Sequence, residues 1–405
     1  MTRPGTWACI TLLLQLSAGV YVPIREYSGQ SFFDGWDYYG SIDNTTWGNV
    51  TYVDQNTSDA QRLTYVDSTT GHAIIRVDNT TNIAPAPLVN RNTVKITTKD
   101  AYPIGSLVTI DVSHIPFGCS VWPSFWMLGT NALWPDAGEI DIIEGINGLT
   151  QNQMALHTTP GCGLATNAIQ TGHIVQGDCS TAQGCLVQET KPNSFGSAFA
   201  QAGGGVFGAQ LDVSGIYMWF WPRNSIPQSI SEATFSSNMD ISDWGTPTAA
   251  YPSSGCNITQ FFQPQQLVLD ITLCGVWAGI PSIYSSTGCS GQCINNVIGS
   301  GNPVYNDAYW EISYIRTYLA AADMGPAPTS QKSGLSPSES VDLTPSSTSD
   351  SSSSTSTSTS SNDNGNSGTA HASNAALVQS TASISMRGLL GIVLVLELWG
   401  RSMIL

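Results

Sequence analysis

The stretch that decides the fold is GEIDIIEGIN, residues 138–147, with acids at Glu139, Asp141 and Glu144 set among isoleucines. Apolar β-branched residues alternating with acids over so few positions read as a strand with one buried face. In such a strand Glu139 and Asp141 share a face, but Glu144, three residues past Asp141, falls on the other. A β-bulge between Ile142 and Ile143 restores the parity, because one extra residue re-aims everything after it. All three acids then line one surface, with Ile140 and one of Ile142/Ile143 packed behind. Three like charges on one face destabilise a strand, so the grouping calls for a chemical purpose.

Retaining glycoside hydrolysis needs this grouping: one carboxylate attacks the anomeric carbon, and a second about 5 Å away protonates the leaving oxygen and then activates water. Mutual repulsion raises the pKa of the acid member, and the middle Asp141 can orient the nucleophile. Spacing alone is weak evidence. With 29 acidic residues in 405 positions, Glu-x-Asp-x-x-Glu arises by chance about 0.15 times per chain.

The flanking sequence adds weight. WPSFWMLGTNALWPDAG, residues 122–138, precedes the acids, and a turn at Asn147-Gly148 leads into NQMALHTT, residues 152–159. If that strand returns beside the first, His157 lies across from the neighbourhood of Asp141. Trp122 and Trp126 share a strand face, Trp134 stands in the entering loop, and Trp277 lies in CGVWAG. Flat rings of this kind bind the apolar faces of sugars. Trp219 and Trp221, in YMWFWP, read as packing residues instead.

The rest of residues 20–321 follows the same pattern. HAIIRVD, LVTIDVS, GIYMWFWP, LVLDITL and YWEISYIRTY are short, rich in β-branched and aromatic residues, and separated by Gly, Pro, Asn and Ser clusters. With no βαβ rhythm and no long helical period, the expected class is all-β, an antiparallel sandwich or jelly roll. The composition agrees: 39 Gly, 12 Trp and only 10% charged residues suit a turn-rich β protein. A formal charge of -16 with 13 basic residues excludes a nucleic-acid partner and suits a neutral polysaccharide.

Residues 1–19 carry Arg3, an apolar run from Trp7 to Leu16, and small residues Ser17, Ala18 and Gly19, the layout of a secretory signal peptide. Cys9 leaves with it. The remaining cysteines, at 119, 162, 179, 185, 256, 274, 289 and 293, form an even set that reads as disulfides, with 105 pairings open. Asn44, Asn49, Asn56, Asn79 and Asn257 begin Asn-x-Ser/Thr glycosylation sequons. Residues 322–373 read as a Ser/Thr-rich disordered stalk, and 374–405 as a GPI-anchor signal: small residues Asn374, Ala375 and Ala376, a polar spacer, and an apolar tail from Gly388. Glu397 and Arg401 in that tail weigh against a permanent membrane span. A secreted monomer at the cell surface or wall is expected, touching the membrane only through its lipid anchor.

FFDGWDYYG (32–40), WPSFWMLG (122–129), GEIDIIEGIN (138–147), NQMALHTTPGC (152–162), GGGVFGAQ (203–210), WFWPRNSIP (219–227) and YWEISYIRTY (309–318) together resemble glycoside hydrolase family 16, in its fungal laminarinase-like endo-1,3(4)-β-glucanases. The resemblance implies a concanavalin-like β-jelly roll of two antiparallel sheets with a sugar cleft on the concave one. It implies Glu139 as nucleophile, Glu144 as general acid/base and Asp141 as assisting carboxylate, with Trp122, Trp126, Trp134 and His157 at the cleft. Bacterial relatives hold a structural calcium through an acidic residue of the last strand, where this chain has Ser313, so no metal or cofactor is expected. Two other readings share the fold: a wall-remodelling transglycosylase and a noncatalytic β-glucan-binding lectin. The longer Glu-x-Asp-x-x-Glu spacing and the absence of a chitin-binding module weigh against the first, and the presence of both glutamates against the second.

Overall fold

Alternation along each strand sets which side chains meet. In Gln265–Leu273, the side chains of Leu267, Leu269, Ile271 and Leu273 enter the core, and those of Gln266, Val268, Asp270 and Thr272 take the other face. In Val121–Gly129, Val121, Phe125 and Met127 point inward, which leaves Trp122, Ser124, Trp126 and Leu128 outward. The computed structural model describes residues 20–323. The expected signal peptide, the expected anchor signal and the expected stalk beyond residue 323 lie outside the described residues.

Two eight-stranded sheets result, with antiparallel pairing throughout. The first orders Ala249–Pro252, Gly215–Pro222, Gly205–Asp212, Ser106–His114, Tyr309–Ala320, Ala73–Arg76 and Thr64–Val66, and Tyr21–Ser28 also pairs with Tyr309–Ala320. The second orders His173–Ile174, Cys185–Gln188, Gln153–His157, Glu139–Glu144, Val121–Gly129, Gln265–Leu273, Lys95–Thr98 and Trp36–Tyr38. Their inner faces supply one core, with Ile110, Val112, Phe207, Phe220 and Ile315 from the first sheet and Phe125, Met127, Ile140, Leu156 and Leu269 from the second. Each of these side chains contributes about 1.5–3 kcal/mol by leaving water. This is the expected all-β jelly-roll sandwich, and the acid-bearing strand lies near the middle of the second sheet, where neighbours on both sides hold its register.

Trp219 and Trp221 pack as expected: both are buried, stacked with centroids 6.3 Å apart, and each meets the ring edge-on of Trp244. The eight cysteines pair as Cys119–Cys289, Cys162–Cys256, Cys179–Cys185 and Cys274–Cys293. Arg91 is fully buried, and its guanidinium donates to the carbonyls of Asp78, Thr81, Val297 and Gly299, joining two loops at the sandwich edge.

Candidate active site

The bulge is present where parity requires it. Against Val121–Gly129, Asp141 lies opposite Trp126 and Ile143 opposite Phe125, so Ile142 is the extra residue. On the other side the register passes from Asp141 opposite Ala155 to Glu144 opposite Gln153. Ile140, Ile142 and Ile143 are all buried, and the three acids gather on the outer face. A bulge breaks the ladder and leaves backbone groups to be satisfied elsewhere. Asn152, fully buried, does this. Its Oδ1 accepts from the Glu144 amide at 3.0 Å, its Nδ2 donates to the Ile142 carbonyl at 2.9 Å, and its own amide donates to Ser194 Oγ at 3.0 Å.

Each outer glutamate receives an indole N–H. Trp134 Nε1 donates to Glu139 Oε2 at 2.8 Å, and Trp122 Nε1 donates to Glu144 Oε1 at 2.9 Å, where Ser124 Oγ adds a second bond at 3.2 Å. His157 sits opposite Glu139 in the ladder, two residues from Asp141 and so in the expected neighbourhood, and its side chain reaches the middle acid. Its Nε2 lies 3.3 Å from Asp141 Oδ2 and 3.8 Å from Glu139 Oε1. Burial pushes all three carboxyls well above the usual carboxylate range. For Glu139 and Glu144 the next cause is the neighbouring Asp141, and the indole donors pull partly the other way. Groups this close share protons, so the trio carries fewer charges than carboxyls near neutral pH. Ligand atoms of Glu139, Asp141 and His157 all lie within 4.8 Å of one another, a spacing that a cation could also bridge.

The surrounding wall is aromatic. Trp126 lies on the row of Asp141, and the Lys95 ammonium stands 5.1 Å from its ring and 5.3 Å from that of Tyr39. Lys95 and Asp270, neighbours across two strands, are both buried on this face with Nζ and Oδ2 4.0 Å apart. Asp270 is pushed up to about 6 by burial, which Lys95 partly offsets. Trp134 is largely exposed above the acids, its ring 6.0 Å from that of His157. Trp277 meets Trp122 edge-on at 5.2 Å, half-buried, so it backs the indole that holds Glu144. Asn147, at φ 52°, accepts from the Ser120 amide and donates to the Ala278 carbonyl, tying the exit of the acid strand to the turn that carries Trp277.

Sequence reasoning brought Glu139, Asp141, Glu144, Trp122, Trp126, Trp134, Trp277 and His157 to one region, and the structure gathers all eight there. It missed Asn152, Ser124, Lys95 and Asp270. Asp270 had a signal: it occupies an outward position of a strand whose alternate residues are apolar. Of the sequon asparagines, Asn44, Asn56 and Asn257 are exposed, and Asn49 and Asn79 are half-buried.

Comparison with known proteins agrees with this geometry. The family described as XgeA-like, catalytic GH16 domain matches residues 36–318. A Schizosaccharomyces pombe chain named probable glycosidase is 36% identical over 308 residues, covering 74% of this chain and 70% of that one. Laminarinase 16A from Phanerochaete chrysosporium, solved with two β-glucans (6-O-glucosyl-laminaritriose) in donor and acceptor sites, is 34% identical with a TM-score of 0.69, covering 74% of this chain and all of that one. An elongating GH family 16 β-1,3-glucosyltransferase is 37% identical with a TM-score of 0.67 over the same shares. The chain spans about half the length of the Aspergillus and Neosartorya relatives named probable endo-1,3(4)-β-glucanase that it matches. With its two-sheet sandwich, its bulged acid strand and these matches, the chain belongs to glycoside hydrolase family 16, as an XgeA-like catalytic domain.

Proposed function

We propose that this chain is a retaining endo-β-glucanase that hydrolyses 1,3- and mixed 1,3-1,4-β-glucans through a covalent glycosyl-enzyme intermediate. The observation that carries this reading is the bulge at Ile142, which puts Glu139, Asp141 and Glu144 on one face with an indole N–H on each outer acid. Glu139 attacks the anomeric carbon, and Glu144 protonates the departing oxygen, then takes a proton from the incoming water. His157 supports this order of roles. It lies within 4 Å of Glu139 and Asp141, where a ring N–H can steady negative charge on the nucleophile side. Asp141, between the two, shares a proton with Glu139, which orients the nucleophile and steadies its charge before attack. No cofactor enters this scheme. Trp122, Trp126 and Trp134 would stack sugar rings, and a laminarinase relative solved with β-glucans supports a polysaccharide substrate.

Anomeric configuration tests the mechanism. Proton NMR of the first products from a β-1,3-glucan should show the β anomer before mutarotation; the α anomer first would sink it. A second reading, glucan transfer, is favoured by the 37% identity to an elongating glucosyltransferase. With a labelled acceptor oligosaccharide, products longer than the substrate would select it. For the whole protein, secretion, a Ser/Thr-rich spacer and a lipid anchor at the cell surface remain part of the proposal, and release by a phosphatidylinositol-specific phospholipase tests the anchor.

A further inference from the structure

A second feature stands apart from the acids. A pocket of about 330 Å³ is lined by Trp47, Asn49, Gly275, Gly279, Gln292 and the Cys274–Cys293 disulfide, among others. That volume is at the small end of the range for ligand pockets, about 300–1,000 Å³. Trp47 is 68% exposed, at φ 56°, a costly way to display a large apolar ring. The display is rigid. Buried Asp43 accepts from the amides of Thr45, Thr46 and Gly48 and from Thr272 Oγ1, while the Val276 amide donates to the Thr46 carbonyl and the Asn49 amide to the Leu273 carbonyl. Gly48 is required between them, since a Cβ there would sit 1.8 Å from Thr272 Oγ1.

Asn49 is the acceptor of the sequon Asn49-Val50-Thr51 and lines the same pocket as the ring two residues before it. We infer that Asn49 carries an N-linked glycan whose first N-acetylglucosamine packs its apolar face on Trp47 and fills this pocket. Transfer forms a bond from Asn49 Nδ2 to the anomeric carbon. It breaks the bond from that carbon to the pyrophosphate of a lipid-linked oligosaccharide donor and releases one Nδ2 proton. The secretory compartment supplies donor and transferase. The second Nδ2 hydrogen remains for the bond to the Val89 carbonyl at 3.2 Å. The sugar then covers an exposed indole and pins the loop that is stitched to the end of the Gln265–Leu273 strand, next to the turn bearing Trp277.

The test needs no glucan assay. The full chain is secreted from a yeast host, and occupancy at Asn49 is read by glycopeptide mass spectrometry, with Asn44 and Asn257 as exposed controls. Asn49 should be occupied, and trimming to a single N-acetylglucosamine should leave Tm unchanged. Asn49→Gln should lower Tm by a few degrees, and Trp47→Ala should lower it equally, with no further loss in the double variant. A bare Asn49 beside occupied controls would overturn the inference. So would Trp47→Ala and Asn49→Gln effects that simply add. If the pocket instead takes the substrate chain, Asn49 is bare and Trp47→Ala raises KM for long glucans, which also overturns it.

Discussion

Asn152 clamps the backbone on both sides of Ile143, accepting from the Glu144 amide and donating to the Ile142 carbonyl. A side chain with one donor and one acceptor is what the bulge needs, because the extra residue leaves one of each unpaired. Asn152→Ala strands both and should cost about 1–3 kcal/mol of stability, measured by urea unfolding. Glu144 would lose its aim, so kcat on β-1,3-glucan should fall at least about tenfold with KM little changed. Asn152→Asp, which replaces the donor by a second acceptor facing Ile142 O, should be worse on both measures. Equal activity in all three proteins would show that the bulge holds itself.

Glu139→Gln and Glu144→Gln should each leave a folded protein with hydrolysis reduced at least about a thousandfold. The two differ in what remains. An aryl β-glucoside with a good leaving group bypasses protonation, so Glu144→Gln should form and accumulate the covalent intermediate on it, visible by intact mass spectrometry. Glu139→Gln should show no adduct. An adduct on the Glu139→Gln protein would reverse the role assignment.

The indole donors give an independent check of the same roles. Trp122→Phe keeps an aromatic ring, though a smaller one, but removes the N–H that holds Glu144 down, so its pKa rises; Trp134→Phe does the same for Glu139. In a bell-shaped profile of kcat/KM the nucleophile sets the acid limb and the proton donor the alkaline limb. Trp122→Phe should therefore move the alkaline limb to higher pH, and Trp134→Phe the acid limb. The opposite assignment of limbs would mean opposite roles for the two glutamates.

Much of this was legible in advance for physical reasons. Period-two alternation is forced on any half-buried strand, so Gln265–Leu273 and Val121–Gly129 announce themselves. The bulge was legible because Glu-x-Asp-x-x-Glu cannot put three acids on one face without it. Asn152 was not, since an amide side chain two residues before Met154 gives no sign of bonding backwards across a turn. That His157 faces Glu139, two residues from Asp141, was readable only to a neighbourhood, because the exact register depends on how many residues the connection between the two strands consumes. Disulfide pairing was unreadable for the same reason: Cys119 and Cys289 meet across a sequence separation of 170 that only the finished sandwich closes.

The buried acids also tie stability to pH. Asp141 is 3% exposed, its Oδ2 has no hydrogen-bond partner, and its carboxyl is pushed up by burial to about 8. A carboxyl whose folded pKa exceeds its unfolded value binds its proton more tightly in the folded protein. The folded state therefore has its full advantage below about pH 4, where both states are protonated, and loses it as pH rises through the folded value. Asp141→Asn removes the titration while keeping the shape. Its Tm relative to the parent should thus be near zero or negative at pH 4 and increasingly positive from pH 5 to pH 8, at the expense of activity. A Tm difference that stays flat over that range would mean that Asp141 keeps its charge on folding, and that the strain in this site is held by Glu139 and Glu144 alone.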